Sequence, residues 1–113
     1  MKKVEAIFRP AKLEELKDAL AQMGSIGGIT ISQVMGFGNQ RGFKEQYKGT
    51  ESLQSILPKI KMELIVDDCD FDKTIETILA YTQTGEVGDG KIFVYPIDDA
   101  IRIRTGENGL EAL

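Results

Sequence analysis

Residues 70–97, DFDKTIETILAYTQTGEVGDGKIFVYPI, decide the fold, because they read either as a helix running into a strand or as two strands joined by a glycine turn. Asp-Gly is a preferred pair for a tight hairpin, which makes Asp89-Gly90 a turn candidate. Upstream, Phe71, Ile75, Ile78, Leu79 and Thr82 lie on one helical stripe that stops before Gly85. Downstream, KIFVYPI is rich in strand formers. The acidic run DDCDFD opens the helix, with Asp70 as its cap and carboxylates facing the positive end of the dipole. The glycines then admit a second role, a phosphate cradle in which backbone N–H groups converge on an anion and Lys91 adds a point charge.

Outward from this stretch, KVEAIFR (3–9) alternates Val4, Ala6 and Phe8 against Glu5, Ile7 and Arg9, the period of a strand. AKLEELKDALAQMG (11–24) spaces Leu13, Leu16, Leu20 and Met23 as an amphipathic helix that ends at Gly24. GITISQVMGFG (28–38) reads as a second strand, and KIKMELIVD (59–67) as a third, with Ile60, Met62, Leu64 and Val66 on one face. The order β-α-β-β-α-β predicts an α+β fold of ferredoxin-like type, two helices covering one face of an antiparallel four-stranded sheet. The tail DDAIRIRTGENGLEAL adds a short alternating piece, Ile101 and Ile103 against Arg102 and Arg104. Strands two and three should be joined by a hairpin, yet a long polar segment, about residues 37–58, lies between them; connections of that size usually carry function.

The chain has 113 residues, 42% of them hydrophobic and 28% charged, with a net charge of −4. That size makes one domain, residues 1–113. The acidic balance argues against general nucleic-acid binding, which draws on a basic surface. There is no histidine, which excludes Ser-His-Asp and Cys-His catalysis and histidine-ligated zinc. Cys69 is the only cysteine; its acidic neighbours disfavour a thiolate, and its solitude excludes an internal disulfide. No apolar run has the length of a membrane helix and the first residues lack a secretion signal, so the expected compartment is the cytoplasm.

Cationic residues fall at element ends: Lys59 opening the third strand, Lys91 after the glycines, and Arg102 with Arg104 on one face of the tail. Together they could balance a nucleoside triphosphate of about −4. The pattern is not a Walker loop, because the lysine leads into a strand rather than a helix.

Three separated stretches, GFGNQRGFKEQYKGTES (36–52), TGEVGDGKIFVYPI (84–97) and IRIRTGE (101–107), occur in order on this topology, and nearly the whole chain resembles the P-II nitrogen-regulatory signal proteins. The resemblance implies a ferredoxin-like homotrimer, with ATP or ADP in the clefts between subunits and a long T-loop, about 37–58, as the output arm. It implies that Gly88, Asp89, Gly90 and Lys91 form the nucleotide-binding part of a B-loop, about 83–91, with Gly36, Phe37 and Gly38 approaching from the T-loop base. Arg102 and Arg104, in a C-terminal segment of about 99–113, match phosphate-binding arginines. Thr30 and Glu63 match adenine-side positions, and Ile65 a neighbouring one through its apolar character. Gln40 and Lys59 match the residues that hold 2-oxoglutarate beside magnesium and ATP, Gln40 also approaching the metal. The implied partner is an ammonium transporter or another regulated membrane or metabolic protein, with membrane association through that partner and no nucleic acid.

Two positions depart from the family pattern. Asn39 stands where arginine is common, which removes a cation beside the phosphates. Ser52 stands at the site of the modified tyrosine, so tyrosine uridylylation or adenylylation is not expected there; Tyr47 matches a different T-loop tyrosine. The resulting expectation is a non-catalytic sensor of ATP, ADP and 2-oxoglutarate. Its rivals are a small ATPase or phosphotransferase working through carboxylates, and a structural or metal-tolerance trimer that binds no nucleotide.

Overall fold

The computed structural model describes residues 1–37 and 56–113. Strand β1 spans Lys2–Phe8, helix α1 Leu13–Gln22, β2 Thr30–Gly36, β3 Leu57–Val66, helix α2 Asp68–Thr82 and β4 Gly90–Pro96. The four strands form one sheet in the order β2-β3-β1-β4, every neighbouring pair antiparallel. This is the predicted ferredoxin-like arrangement. β4 pairs with β1, Phe8 opposite Gly90, and is reached from a helix, so the hairpin reading of Asp89-Gly90 does not hold.

Alternation along β1 and β3 places the core as expected. Val4, Ala6, Phe8, Ile60, Met62, Leu64 and Val66 are buried, together with Leu16 and Leu20 of α1 and Ile78 of α2. Each large side chain so removed from water contributes roughly 1.5–3 kcal/mol. Leu13 and Met23 complete the α1 stripe as partly buried neighbours of the core, and Gly24 leaves the helix at φ 74°, a conformation that costs glycine nothing.

α2 departs from expectation in two places. Its cap is Asp67, not Asp70: Asp67 is extended (φ −65°, ψ 148°) and its carboxylate accepts from the Cys69 N–H, whereas Asp70 already lies in the first turn. Leu79, expected on the covered face, is exposed; Ile78 and Thr82 are buried as the stripe predicts, and Thr74, which it passes over, is buried with them. Both threonine hydroxyls donate to carbonyls one turn back, Thr74 to Asp70 at 2.8 Å and Thr82 to Ile78 at 2.7 Å, so burial leaves neither unpaired.

The register also fixes what lies on the helix-free face. Glu5 stands opposite Glu63 on one side and Phe93 on the other, and Ile7 opposite Lys61 and Lys91. Like charges there are separated by counter-charges: Lys3 Nζ sits 2.7 Å from Glu63 and 3.7 Å from Glu5, and over the Tyr95 ring. The tail is not the alternating extended piece expected. It turns sharply, Gly106 N–H donating to the Arg102 carbonyl at 2.7 Å, and closes with an isolated bridge between Ile101 and Asn108.

Candidate functional site

One end of the sheet gathers most of the residues that the sequence singled out. There β2 ends at Gly36, opposite Leu57 of β3; a side chain at Gly36 would meet the Lys59 stem at 3.0 Å, so glycine lets the lysine pass. Lys59 reaches across to the 84–90 loop, its ammonium donating to the Gly88 carbonyl at 2.8 Å. Partial burial, then the charge of Arg9, lowers the Lys59 pKa, while Asp89 opposes the shift. Gly88, Asp89, Gly90 and Lys91 follow at the start of β4. Phe37 is exposed beside Gly36. Gly38, Asn39, Gln40, Tyr47 and Ser52 lie outside the described residues.

The loop is held from within. Asp89 Oδ2 accepts from the N–H groups of Thr84 and Gly85, each at 2.8 Å, and Oδ1 accepts from the Thr84 hydroxyl at 2.5 Å and from Arg9 Nη1. The Thr84 hydroxyl and N–H, with the Gly85 N–H and Arg9, hold the carboxyl far below the usual carboxylate range. The second arm of Arg9, Nη2, donates to the Val87 carbonyl at 2.7 Å. Three glycines supply positive φ angles: Gly85 at 89°, Gly88 at 98° and Gly90 at 110°. At Gly90 the demand is steric as well, since a Cβ would fall 1.8 Å from the Ile7 carbonyl oxygen.

The remaining candidates assemble elsewhere. Thr30, Glu63 and Ile65 line a recess of about 470 Å³ together with Gly27, Gly28 and Leu113. Thr30 is paired with Glu63 across β2 and β3, and the Lys3 ammonium holds the Glu63 carboxyl below its ordinary value. The recess is closed on one side by the tail, where Arg102 donates to Glu107 at 2.9 Å and to the carbonyls of Glu111 and Leu113 at 3.0 and 3.2 Å. Arg104 is exposed. Along β3, Lys59 and Glu63 are four residues apart, roughly 13 Å at the rise of a strand.

The chain therefore carries two separate candidate clusters: a glycine-rich loop flanked by Lys59 and Lys91 at one sheet end, and a recess on the β2 side beside the tail. The first suits an anion, because among the described residues Lys59 and Lys91 form no ion pair, while Asp89 is paired with Arg9. Sequence reasoning missed Arg9 and Thr84. Thr84 stands five residues before Asp89 and was open to recognition as a loop partner; Arg9 follows a strand in no motif, and only the pairing of β1 with β4 brings it to the loop. Cys69 is exposed, and partial desolvation, then Asp67 and Asp70, push its thiol pKa up, as expected of a non-nucleophilic cysteine.

Comparison with known proteins gives a consistent result. A family model described as nitrogen regulatory protein P-II matches residues 1–107. The chain is 51% identical over 113 residues to the nitrogen regulatory protein P-II of Rhodospirillum rubrum and 51% to that of Nostoc punctiforme. It is 49% identical to that of Pasteurella multocida. In each case the alignment covers 100% of both chains.

Proposed function

The chain belongs to the nitrogen regulatory protein P-II family, whose members are non-catalytic signalling regulators that act on target proteins, and from that premise we propose that it senses ATP, ADP and 2-oxoglutarate. The observation that carries this reading is the convergence of Gly36, Lys59 and the Gly88–Lys91 loop at one end of the sheet, with the one carboxylate of the loop cancelled by Arg9. Such a donor set fits phosphates: main-chain N–H groups and two lysines, with the carboxylate nearest them, Asp89, paired to Arg9 and the second acid of the 84–90 loop, Glu86, exposed to solvent. Arg102, paired with Glu107, and exposed Arg104 lie on the tail beside the second cluster and in this reading reach the phosphates from a neighbouring copy.

The two clusters also favour an assembly, in which each is half of one site. Thr30 and the recess belong to the β2 edge and the glycine loop to the β4 edge, so a neighbouring copy docked edge to edge would bring one half-site of each chain together. Repeating that heterologous contact closes a ring, a homotrimer with a nucleotide in each cleft. Exposed Phe93, Val94 and Tyr95 on β4 and Ile31 and Met35 on β2 give the edges an apolar surface to cover.

In this reading Lys59, with Gln40, holds 2-oxoglutarate, and magnesium bound to ATP supplies the positive charge between the two anions. Residues 37–58 form the arm that engages an ammonium transporter, and ligands act by shifting which arrangement of that arm prevails. Membrane association in this reading runs through the partner; among the described residues no helix is long and apolar enough to cross a membrane.

Calorimetric titration tests the ligands. ATP and ADP should each bind alone, and 2-oxoglutarate only with magnesium and ATP, because ADP lacks the γ-phosphate that completes the metal's ligands. Failure of both nucleotides, or 2-oxoglutarate binding without nucleotide, refutes the assignment. Capture from membranes tests the output: the intact chain should be retained with ADP and released by ATP with 2-oxoglutarate, and a chain lacking residues 43–52 should not be retained. Equal capture in every arm would rule out the arm as the output.

A further inference from the structure

A carboxylate inside a phosphate cradle is an electrostatic contradiction, since it repels the ligand that the surrounding groups attract. The geometry around Asp89 resolves it. An ionised carboxylate has about four acceptor positions, and four donors take them: Thr84 N–H, Gly85 N–H, the Thr84 hydroxyl and Arg9. Nothing is left over for a ligand or a metal. We propose that Asp89 and Arg9 are positioning residues for the nucleotide phosphates: Asp89 shapes the 84–90 loop from within, and Arg9 cancels its charge while fastening the loop to the end of β1. This rests on the nucleotide reading above.

Arg9 orients backbone as well as charge. Its Nη2 holds the Val87 carbonyl, and Lys59 holds the Gly88 carbonyl. In a trans peptide the C=O and the following N–H point in opposite directions. Drawing the Val87 oxygen towards the guanidinium therefore turns the Gly88 N–H away from it, outward from β1. Arg9 thus sets the direction of a main-chain donor that a phosphate would use, and the positive φ at Gly88 makes that direction accessible, while Lys59 fixes the next peptide, whose Asp89 N–H donates to the Glu86 carbonyl at 3.3 Å.

The sign of one substitution separates this role from direct contact. If Asp89 were only a charge near the phosphates, Asp89→Asn would strengthen nucleotide binding. As a positioning residue it should weaken ATP and ADP alike, by about tenfold, because the amide nitrogen opposes Arg9 and the loop loses its anchor. Arg9→Gln should have a similar effect, and the double variant should lose no more than the worse single, the non-additivity of groups that act as one unit. Amide hydrogen exchange of the ligand-free protein should quicken at Thr84 and Gly85 in Asp89→Asn while the core strands keep wild-type protection. Thr84→Ser should bind as wild type and Thr84→Val should lose affinity; this pair serves equally if Asp89→Asn does not fold. Wild-type binding with Asp89→Asn unchanged or tighter, or with Thr84→Val unchanged, overturns the positioning role alone. Wild-type protein that binds neither nucleotide overturns the functional reading and this inference together.

Discussion

Substituting Gly90 by alanine tests a glycine packed directly against the main chain of β1. A Cβ there would lie 1.8 Å from the Ile7 carbonyl oxygen, 2.8 Å from its carbon and 3.0 Å from Phe8 Cα, all main-chain atoms of β1, where ordinary contact begins at 3.4 Å. No side chain can swing aside to relieve this, so β4 must separate from β1 at its first pair. The left-handed region adds roughly 1–2 kcal/mol for a residue with a Cβ, and forced overpacking about 1–3 kcal/mol. The sum, about 2–5 kcal/mol, is a large part of the roughly 5–15 kcal/mol that holds a domain folded. Gly85 is the control: its φ is 89° but nothing lies within 4 Å of its Cβ position, so Gly85→Ala should cost only the conformational part, about 1–2 kcal/mol. Urea denaturation followed by circular dichroism, at matched protein concentration, reads both. Gly90→Ala within about 0.5 kcal/mol of Gly85→Ala would refute the steric argument, and with it the account of why β4 begins on a glycine.

Other perturbations reach the site through charge. Lys91→Ala should weaken ATP and ADP together by about tenfold or more, the worth of a charge-assisted contact, with no change in the melting temperature of the ligand-free protein; unchanged affinities by calorimetry would remove Lys91 from the cradle. Acid should loosen the loop. The folded pKa of Asp89 lies below its unfolded value, so its contribution to stability is full above the ordinary carboxylate range, about pH 4, and is lost as the pH falls towards the folded pKa. Melting temperatures measured from pH 6 to pH 2.5 should fall more steeply for wild type than for Asp89→Asn, and parallel curves would count against the clasp.

The strands were legible because a sheet with one covered face imposes strict alternation: Val4, Ala6 and Phe8, and Ile60 through Val66, are the buried set that their spacing announces. α2 was legible as a helix but not in its rotation. The stripe drawn in the sequence took in Ile78 and Thr82, which are buried, but also Leu79, which is exposed, and it passed over Thr74, whose hydroxyl is satisfied in the fold by the Asp70 carbonyl. The cap was ambiguous among four aspartates, and the extended backbone at Asp67 decides it. In the site, glycine and lysine spacing pointed to the loop, whereas the neutralisation of Asp89 depends on an arginine 80 positions away, which no local pattern encodes. Nor does spacing reveal that Arg102 is turned onto Glu107 and the tail carbonyls.

The position of β1 in the sheet has a consequence for how the molecule is made. This strand is synthesised first yet lies inside the sheet, between β3 and β4, and its Lys2 pairs with Val66 and Pro96. At ribosomal speeds of roughly 5–20 residues per second, β4 follows β1 by about 5–20 s. Until β3 (Leu57–Val66) emerges, Val4, Ala6 and Phe8 have α1 as their first available cover and no native neighbour in the sheet, and the β4 side of β1 stays open for the whole interval. The growing chain must therefore shield its first strand provisionally, by local collapse onto α1 or in the grip of a chaperone, and its native sheet is complete only when its last strand arrives.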